Sequence, residues 1–127
     1  MIADTTFLSD FRRERERSMI GPARSFLTRH RRQPLFTTVI SAGEIAVIFD
    51  STAEARAFLA PYRILRLTPE IAYVAAALDR ELIGTTGNRL GENDTWIAGF
   101  CRYYSQPVVS RDEGFDRVRG LRRLSYS

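Results

Sequence analysis

The chain has 127 residues, enough to bury a core without staples, and its 44% hydrophobic and 27% charged residues are those of an ordinary globular protein. The formal net charge is +4, and all 19 basic residues are arginines, whose planar guanidinium groups grip phosphates and carboxylates bidentately. No apolar run approaches the ~18–20 residues needed to span a bilayer, and the single cysteine, Cys101, excludes an internal disulfide and any cysteine-based metal cluster. Met1-Ile2-Ala3-Asp4 lacks the basic stretch and apolar run of a secretory signal. The expectation is one cytoplasmic domain over residues 1–127, with no membrane association.

The first predicted element is a strand at Met1–Thr5, followed by a helix from about Phe7. Its "FRRERERS" segment alternates in sign, the pattern of a solvated helix face. A second helix is expected from Ser18 to about Arg32, with Gly21-Pro22 as a break or a start. Eight arginines fall between Arg12 and Arg32, and "RHRR" at 29–32 is a candidate phosphate contact. Leu35–Thr38 reads as a strand, Ser41–Phe49 as a helix, Ala53–Leu59 as a short helix and Arg63–Leu67 as a strand. Thr68-Pro69-Glu70 opens a strong helix, with Thr68 as cap, Pro69 in the first turn, and Ile71, Val74, Ala75, Leu78 and Leu82 on one face. The polar stretch "GTTGNRLGEN" reads as a loop. After it Ile97, Cys101 and Tyr104 recur at helical spacing, beside Trp96 and Ala98. Pro107–Ser110 is a strand, residues 113–118 about one helical turn, and Arg122–Ser125 a last edge strand. Strands alternating with helices imply a three-layer α/β/α sandwich around a mostly parallel sheet.

In such sheets ligands bind beyond the carboxyl ends of the strands, where strand order reverses. Four acids are placed to meet there. Asp4 ends the first strand, Glu44 lies in the first turn of the helix after the second, and Asp94 opens the helix before the fourth. Asp112 stands two residues past Ser110. Asp94 taken alone reads first as a helix cap, a role that Asp and Asn fill well. Taken together, the four carboxylates are costly without a counter-ion, because two unit charges ~4 Å apart repel by about 4 kcal/mol at an effective dielectric of ~20. A hard divalent cation removes that cost, and an all-oxygen set suits Mg²⁺ or Mn²⁺. Zinc is disfavoured, since His30 is the only histidine and sits in the basic stretch.

The stretches "IADTTFLSDF", "TTVISAGEI", "ENDTWIAGFC" and "PVVSRDEGFDRVRGL", in that order, resemble the PIN-domain family of metal-dependent ribonucleases. The likeness is greatest to the small VapC-type toxins of type II toxin–antitoxin pairs. It implies a PIN-like fold and hydrolysis of RNA phosphodiesters with Mg²⁺ or Mn²⁺ as cofactor. It places Asp4, Glu44, Asp94 and Asp112 around one or two metal ions, with Asp4 and Asp94 as principal ligands. Glu44 is a ligand or orients the attacking water, and Asp112 completes the shell. Thr6 matches a polar position that supports the first Asp or its water, and Ser110 matches the Thr or Ser that precedes the last acid. Ile48-Phe49 departs from the family pattern, which has a small residue or glycine there. The heavy arginine content near the N-terminus is a second departure.

The resemblance further implies a cognate antitoxin that covers the site, and a homodimer or a toxin–antitoxin hetero-oligomer. Helices between Phe7 and Phe26, with Val47–Phe49 and Phe58–Leu59, are either the receiving groove or plain core. Arg111 and the 29–32 cluster are candidates to hold the RNA backbone. Two other readings place different chemistry on the same residues. A phosphoacceptor signalling domain also joins a parallel sheet to an acidic pocket and Mg²⁺, but it resembles its relatives in needing a lysine that this chain lacks. A non-catalytic PIN-like binding module would use the acids only as caps and loop polars.

Overall fold

The computed structural model describes residues 1–126. Its elements in chain order are β1 (Ile2–Ala3), α1 (Thr5–Glu16), α2 (Pro22–Arg29), β2 (Phe36–Thr38), α3 (Val39–Ala46) and α4 (Thr52–Leu59). They continue as β3 (Arg63–Leu65), α5 (Pro69–Thr86), α6 (Glu92–Tyr104), β4 (Val108–Val109), a 3-10 turn at Glu113–Arg117, and β5 (Arg123–Leu124). The strands form one all-parallel sheet in the order β3-β2-β1-β4-β5. The chain winds outward from β1 through β2 to β3, then returns to the far side of β1 for β4. The carboxyl ends of β1 and β4 therefore flank the point where winding reverses, the usual place for a ligand site in such sheets.

Two apolar layers sandwich the sheet, as the alternation of side chains along a strand requires. Ala3 and Val109 face Phe7, Leu8, Phe26, Ile45 and Phe58 from the helices α1 to α4. Ile2 and Val108 face Ile71, Leu78, Ile97, Phe100 and Cys101 from α5 and α6. The expected three-layer architecture is thus observed, with Cys101 in the core at 1% exposure. No helix among the described residues is long and apolar enough to cross a membrane.

Element boundaries depart from the sequence reading where side chains cap the backbone. The Asp4 carboxylate accepts the Phe7 N–H, so α1 begins at Thr5 and not near Phe7. The expected second helix begins only at Pro22, because Ser18 takes a left-handed conformation (φ 51°) and the proline supplies the first helical turn. At its far end α2 stops at Arg29, short of Arg32. The loop "GTTGNRLGEN" is partly helical: α5 runs to Thr86, where Thr85 and Thr86 bond back to the carbonyls of Glu81 and Leu82. Gly87, at φ 74°, then closes it in the left-handed region that glycine enters without steric cost. Tyr104, read as part of the buried face of α6, is 40% exposed, and Val74 is half-buried.

The α5–α6 crossing depends on Gly99. A Cβ at that position would stand 2.7 Å from the Ala75 Cβ and 3.1 Å from its Cα, so the helices approach at a distance only glycine allows. Gly99→Ala is expected to destabilise the fold by about 1–2 kcal/mol, with overpacking exceeding the helix-propensity gain of up to ~1 kcal/mol. Urea unfolding monitored by Trp96 fluorescence checks this; equal or greater stability would show that the crossing is not tight.

Candidate active site

The carboxyl edge of β1 and β4 is built around Asp4, which is 1% exposed. Its position at the end of a buried strand and the start of a helix leaves its carboxylate inside the protein, held by donors on both oxygens. Oδ1 accepts the Thr6 hydroxyl at 2.7 Å and the Phe7 N–H at 2.9 Å. Oδ2 accepts the Ser110 hydroxyl at 2.5 Å. Ser110, fully buried just past β4, in turn accepts the Asp112 N–H at 2.9 Å, so one hydroxyl ties the first acid to the loop carrying the last. The Asp112 Oδ1 accepts the Gly114 N–H at 2.8 Å and caps the 3-10 turn.

Glu44 reaches the same edge from α3. Its Oε1 accepts the Thr5 hydroxyl at 2.6 Å, and Thr5 also meets the Ser41 hydroxyl at 3.1 Å. Thr5 and Ser41 were not among the expected site residues; the repeated threonine of "DTTF" was the available signal for Thr5. Glu44 lies in the second turn of α3, later than expected, because that helix starts at Val39. Its place over the edge is unaffected.

Asp94 is in the first turn of α6, but it does not cap that helix. The cap position is Gly91, which has no side chain to bond the free N–H groups there. The carboxyl is instead pushed up to about 6 by burial first, then by the charges of Asp112, Asp4 and Glu44, with Asp112 also in hydrogen-bond contact. Asp4 is raised as well, mainly by burial, against the opposing bonds from Ser110, Phe7 N–H and Thr6. The four acids thus share one electrostatic site. None of them has an arginine ion-pair partner among the described residues.

The side chains of Asp4, Thr5, Thr6, Ser41, Glu44, Asp94, Ser110 and Asp112 offer a metal ion only oxygen ligands. Among the described residues no group of three or more Asp, Glu, His or Cys side chains is set to hold a metal ion unaided. An ion here would complete its shell with water, as Mg²⁺ prefers when one or two carboxylates anchor it. Burial is the larger cause of the rise at Asp94, and the part that comes from Asp112, Asp4 and Glu44 is the repulsion a divalent cation relieves. The donor set therefore fits a hard, partly hydrated cation.

A model of the PIN domain family matches residues 1–121. The chain belongs to the PIN domain family. No curated protein matches it significantly by sequence. Among solved structures it is similar to VapBC2 from Rickettsia felis bound to a DNA fragment from their promoter, at 14% identity and TM-score 0.78, covering 99% of this chain and 98% of that one. DNA-bound VapBC from Salmonella typhimurium gives 18% identity and TM-score 0.78, covering 99% and 97%. VapBC-5 from Mycobacterium tuberculosis, a member of the VapBC family of toxin–antitoxin systems, gives 26% identity and TM-score 0.54, covering 72% and 79%.

Not every residue singled out in this PIN chain joins the acidic edge. The 29–32 cluster leads into the amino-terminal end of β2, the opposite edge of a parallel sheet, and His30 there stacks on Phe26 with its Nδ1 2.9 Å from the Phe26 carbonyl. Arg111 lies beside Asp112 but pairs with Asp10, Nε to Oδ2 at 3.2 Å. The segment "FRRERERS" is not simply solvated, because Glu14 is 7% exposed and accepts the N–H groups of Gly21, Ala23 and Arg24. The apolar residues offered as a receiving groove divide: Phe7, Phe26, Phe58 and Leu59 are core, while Val47 is 82% and Ile48 44% exposed.

Proposed function

We propose that this chain is a Mg²⁺- or Mn²⁺-dependent endoribonuclease and the toxin of a cytoplasmic toxin–antitoxin pair. The observation that carries the reading is the group of four carboxylates, without arginine partners, at the β1/β4 switch point of a PIN domain. The toxin–antitoxin complexes among its structural neighbours support the pairing.

Asp4, Asp94 and Asp112 would hold the metal, with Glu44 at the same edge. When bound, it supplies positive charge against the phosphate and lowers the pKa of water. The remaining work falls to the chain. Thr6, Ser110 and the Phe7 N–H fix both oxygens of Asp4, so that carboxylate has one orientation before substrate arrives. Thr5 fixes Oε1 of Glu44, while Oε2 has no hydrogen-bond partner among the described residues and is able to orient a water or accept its proton. Preorganised oxygens of this kind need not reorient during reaction. The antitoxin would cover this edge, and a basic side chain from it would pair with the unneutralised acids. Assembly with the antitoxin, or with a second copy, completes the proposal.

Purified protein should cleave single-stranded RNA with Mg²⁺ or Mn²⁺, lose activity in chelator, and lose it as Asp4→Asn. Expression without a partner should arrest growth, and Asp4→Asn should relieve the arrest. Undiminished cleavage after thorough chelation, or equal toxicity of a soluble Asp4→Asn variant, would overturn the reading.

A further inference from the structure

Beside the acidic edge, a cleft of about 270 Å³ opens between α1, the start of α2, the loop after β4 and the C-terminal segment. Asp10, Arg13, Glu14, Arg17, Arg111 and Tyr126 contribute to its walls. The two carboxylates are committed to the protein. Both oxygens of Glu14 accept backbone N–H groups at the start of α2. Asp10 accepts Arg13 Nη1 on Oδ1 at 3.1 Å, and on Oδ2 accepts Arg111 Nε at 3.2 Å and the Tyr126 hydroxyl at 2.5 Å. Asp10 is thus a clamp that fixes two guanidinium groups and one phenol at the cleft.

The arginines are not committed in the same way. Among the described residues Arg111 uses only Nε and Arg13 only Nη1, and Arg17 has no ion pair. About half of the Arg13 and Arg111 side chains remains exposed. Several N–H donors therefore meet at one cleft, with the nearby acceptors already filled. A tetrahedral dianion or a phosphodiester matches such donors.

The cleft adjoins the acidic edge through Arg111 and Tyr126, although none of the four acids lines it. Asp10 follows Asp4 by six residues on α1, about 9 Å along the axis, and Arg111 immediately precedes Asp112. Tyr126 stands between the two, in hydrogen-bond contact with Asp10 and with Thr6. A strand lying across the four acids would carry its neighbouring phosphates toward the arginines.

We propose that this cleft is a phosphate subsite in which Arg13, Arg17 and Arg111 hold a backbone phosphate of single-stranded RNA adjoining the cleaved bond. The assignment rests on the nuclease reading above. Arg17→Ala and Arg111→Ala, with Arg80→Ala on the exposed face of α5 as a matched charge control, separate the two. Binding of a fluorescent RNA oligonucleotide is measured by anisotropy across a salt series in the Asp94→Asn background, and KM and kcat in the otherwise native chain. The double variant Arg17→Ala/Arg111→Ala should bind at least about tenfold more weakly, with a salt slope shallower by ~0.7 for each phosphate no longer neutralised. The kinetic loss should fall on KM. An unchanged slope and KM, or an equal loss in Arg80→Ala, overturns the subsite while native cleavage leaves the nuclease reading standing. Loss of binding to a protein partner with RNA binding intact also overturns it. Absence of RNA binding and cleavage in the native chain removes both proposals.

Discussion

Asp94→Asn is expected to lower RNA cleavage by orders of magnitude while leaving the metal-free protein as stable as the parent or more so. The two effects have one origin. Asp94 does not cap α6, so its replacement breaks no cap, and asparagine retains the shape of the side chain. What is lost is a negative charge pressed among those of Asp112, Asp4 and Glu44. Relief of that repulsion favours the folded state, and loss of the charge weakens a cation that the folded state alone binds. The native carboxyl sits at about 6, above its ordinary 3.8, so the folded state holds more protons than the unfolded chain between those values. The stability contributed by this group in the metal-free protein therefore falls as pH rises from about 4 to 6. The stability difference, Asp94→Asn minus parent, should grow over that interval and level off above it. Added Mg²⁺ should raise the parent's melting temperature more than the variant's. Melting curves at several pH values, with and without Mg²⁺, decide the matter; a flat difference with an unchanged Mg²⁺ shift would remove Asp94 from the site.

Glu14→Ala should be the costliest substitution of a charged side chain on α1 for stability. One carboxylate supplies acceptors to three N–H groups, at 3.0 Å from Gly21, 2.9 Å from Ala23 and 2.9 Å from Arg24, and so caps a helix belonging to another stretch of the chain. Truncation leaves these donors with no side-chain acceptor in a largely buried position. A loss of about 2–4 kcal/mol is expected, since a buried unsatisfied donor costs about 1–3 kcal/mol and a lost cap about 1. Glu14→Gln, which keeps one carbonyl oxygen, should lose less. Urea unfolding of the three proteins gives the order directly, and equal midpoints would show that α2 is held by other means. The space over Gly21 reports the same contact: a Cβ there would meet the Glu14 Cδ at 2.6 Å.

Periodicity and turn chemistry made the order of strands and helices legible, since each of these elements carries its own apolar pattern. The convergence of Asp4, Glu44, Asp94 and Asp112 was legible for a different reason: a parallel doubly wound sheet collects residues that follow its strands at one edge. Contacts between distant segments were not. Nothing in "FRRERERS" distinguishes Glu14, which turns inward to cap α2, from Glu16, which pairs with Arg12 at the surface. Asp10 likewise gives no local sign that Tyr126, 116 residues away, will close on it. Cap or ligand at Asp94 was also undecidable from residue type, because aspartate suits both; α6 starts at Glu92, and its cap position is Gly91.

Among the described residues the sheet has two open edges, and each carries an arginine at the first residue of its strand. Arg63 on β3 lies over the Phe36 ring, with 5.9 Å from its guanidinium carbon to the ring centre. Arg123 on β5 pairs with Asp116 and donates to the Ser110 carbonyl at 3.1 Å. A further strand added at either margin would have to strip water from a guanidinium or break the contacts it makes, which blunts edge-to-edge growth. With strands of only two or three residues, little main-chain bonding would compensate. Association of this chain, with itself or another protein, is thereby steered away from sheet extension and onto its helical faces.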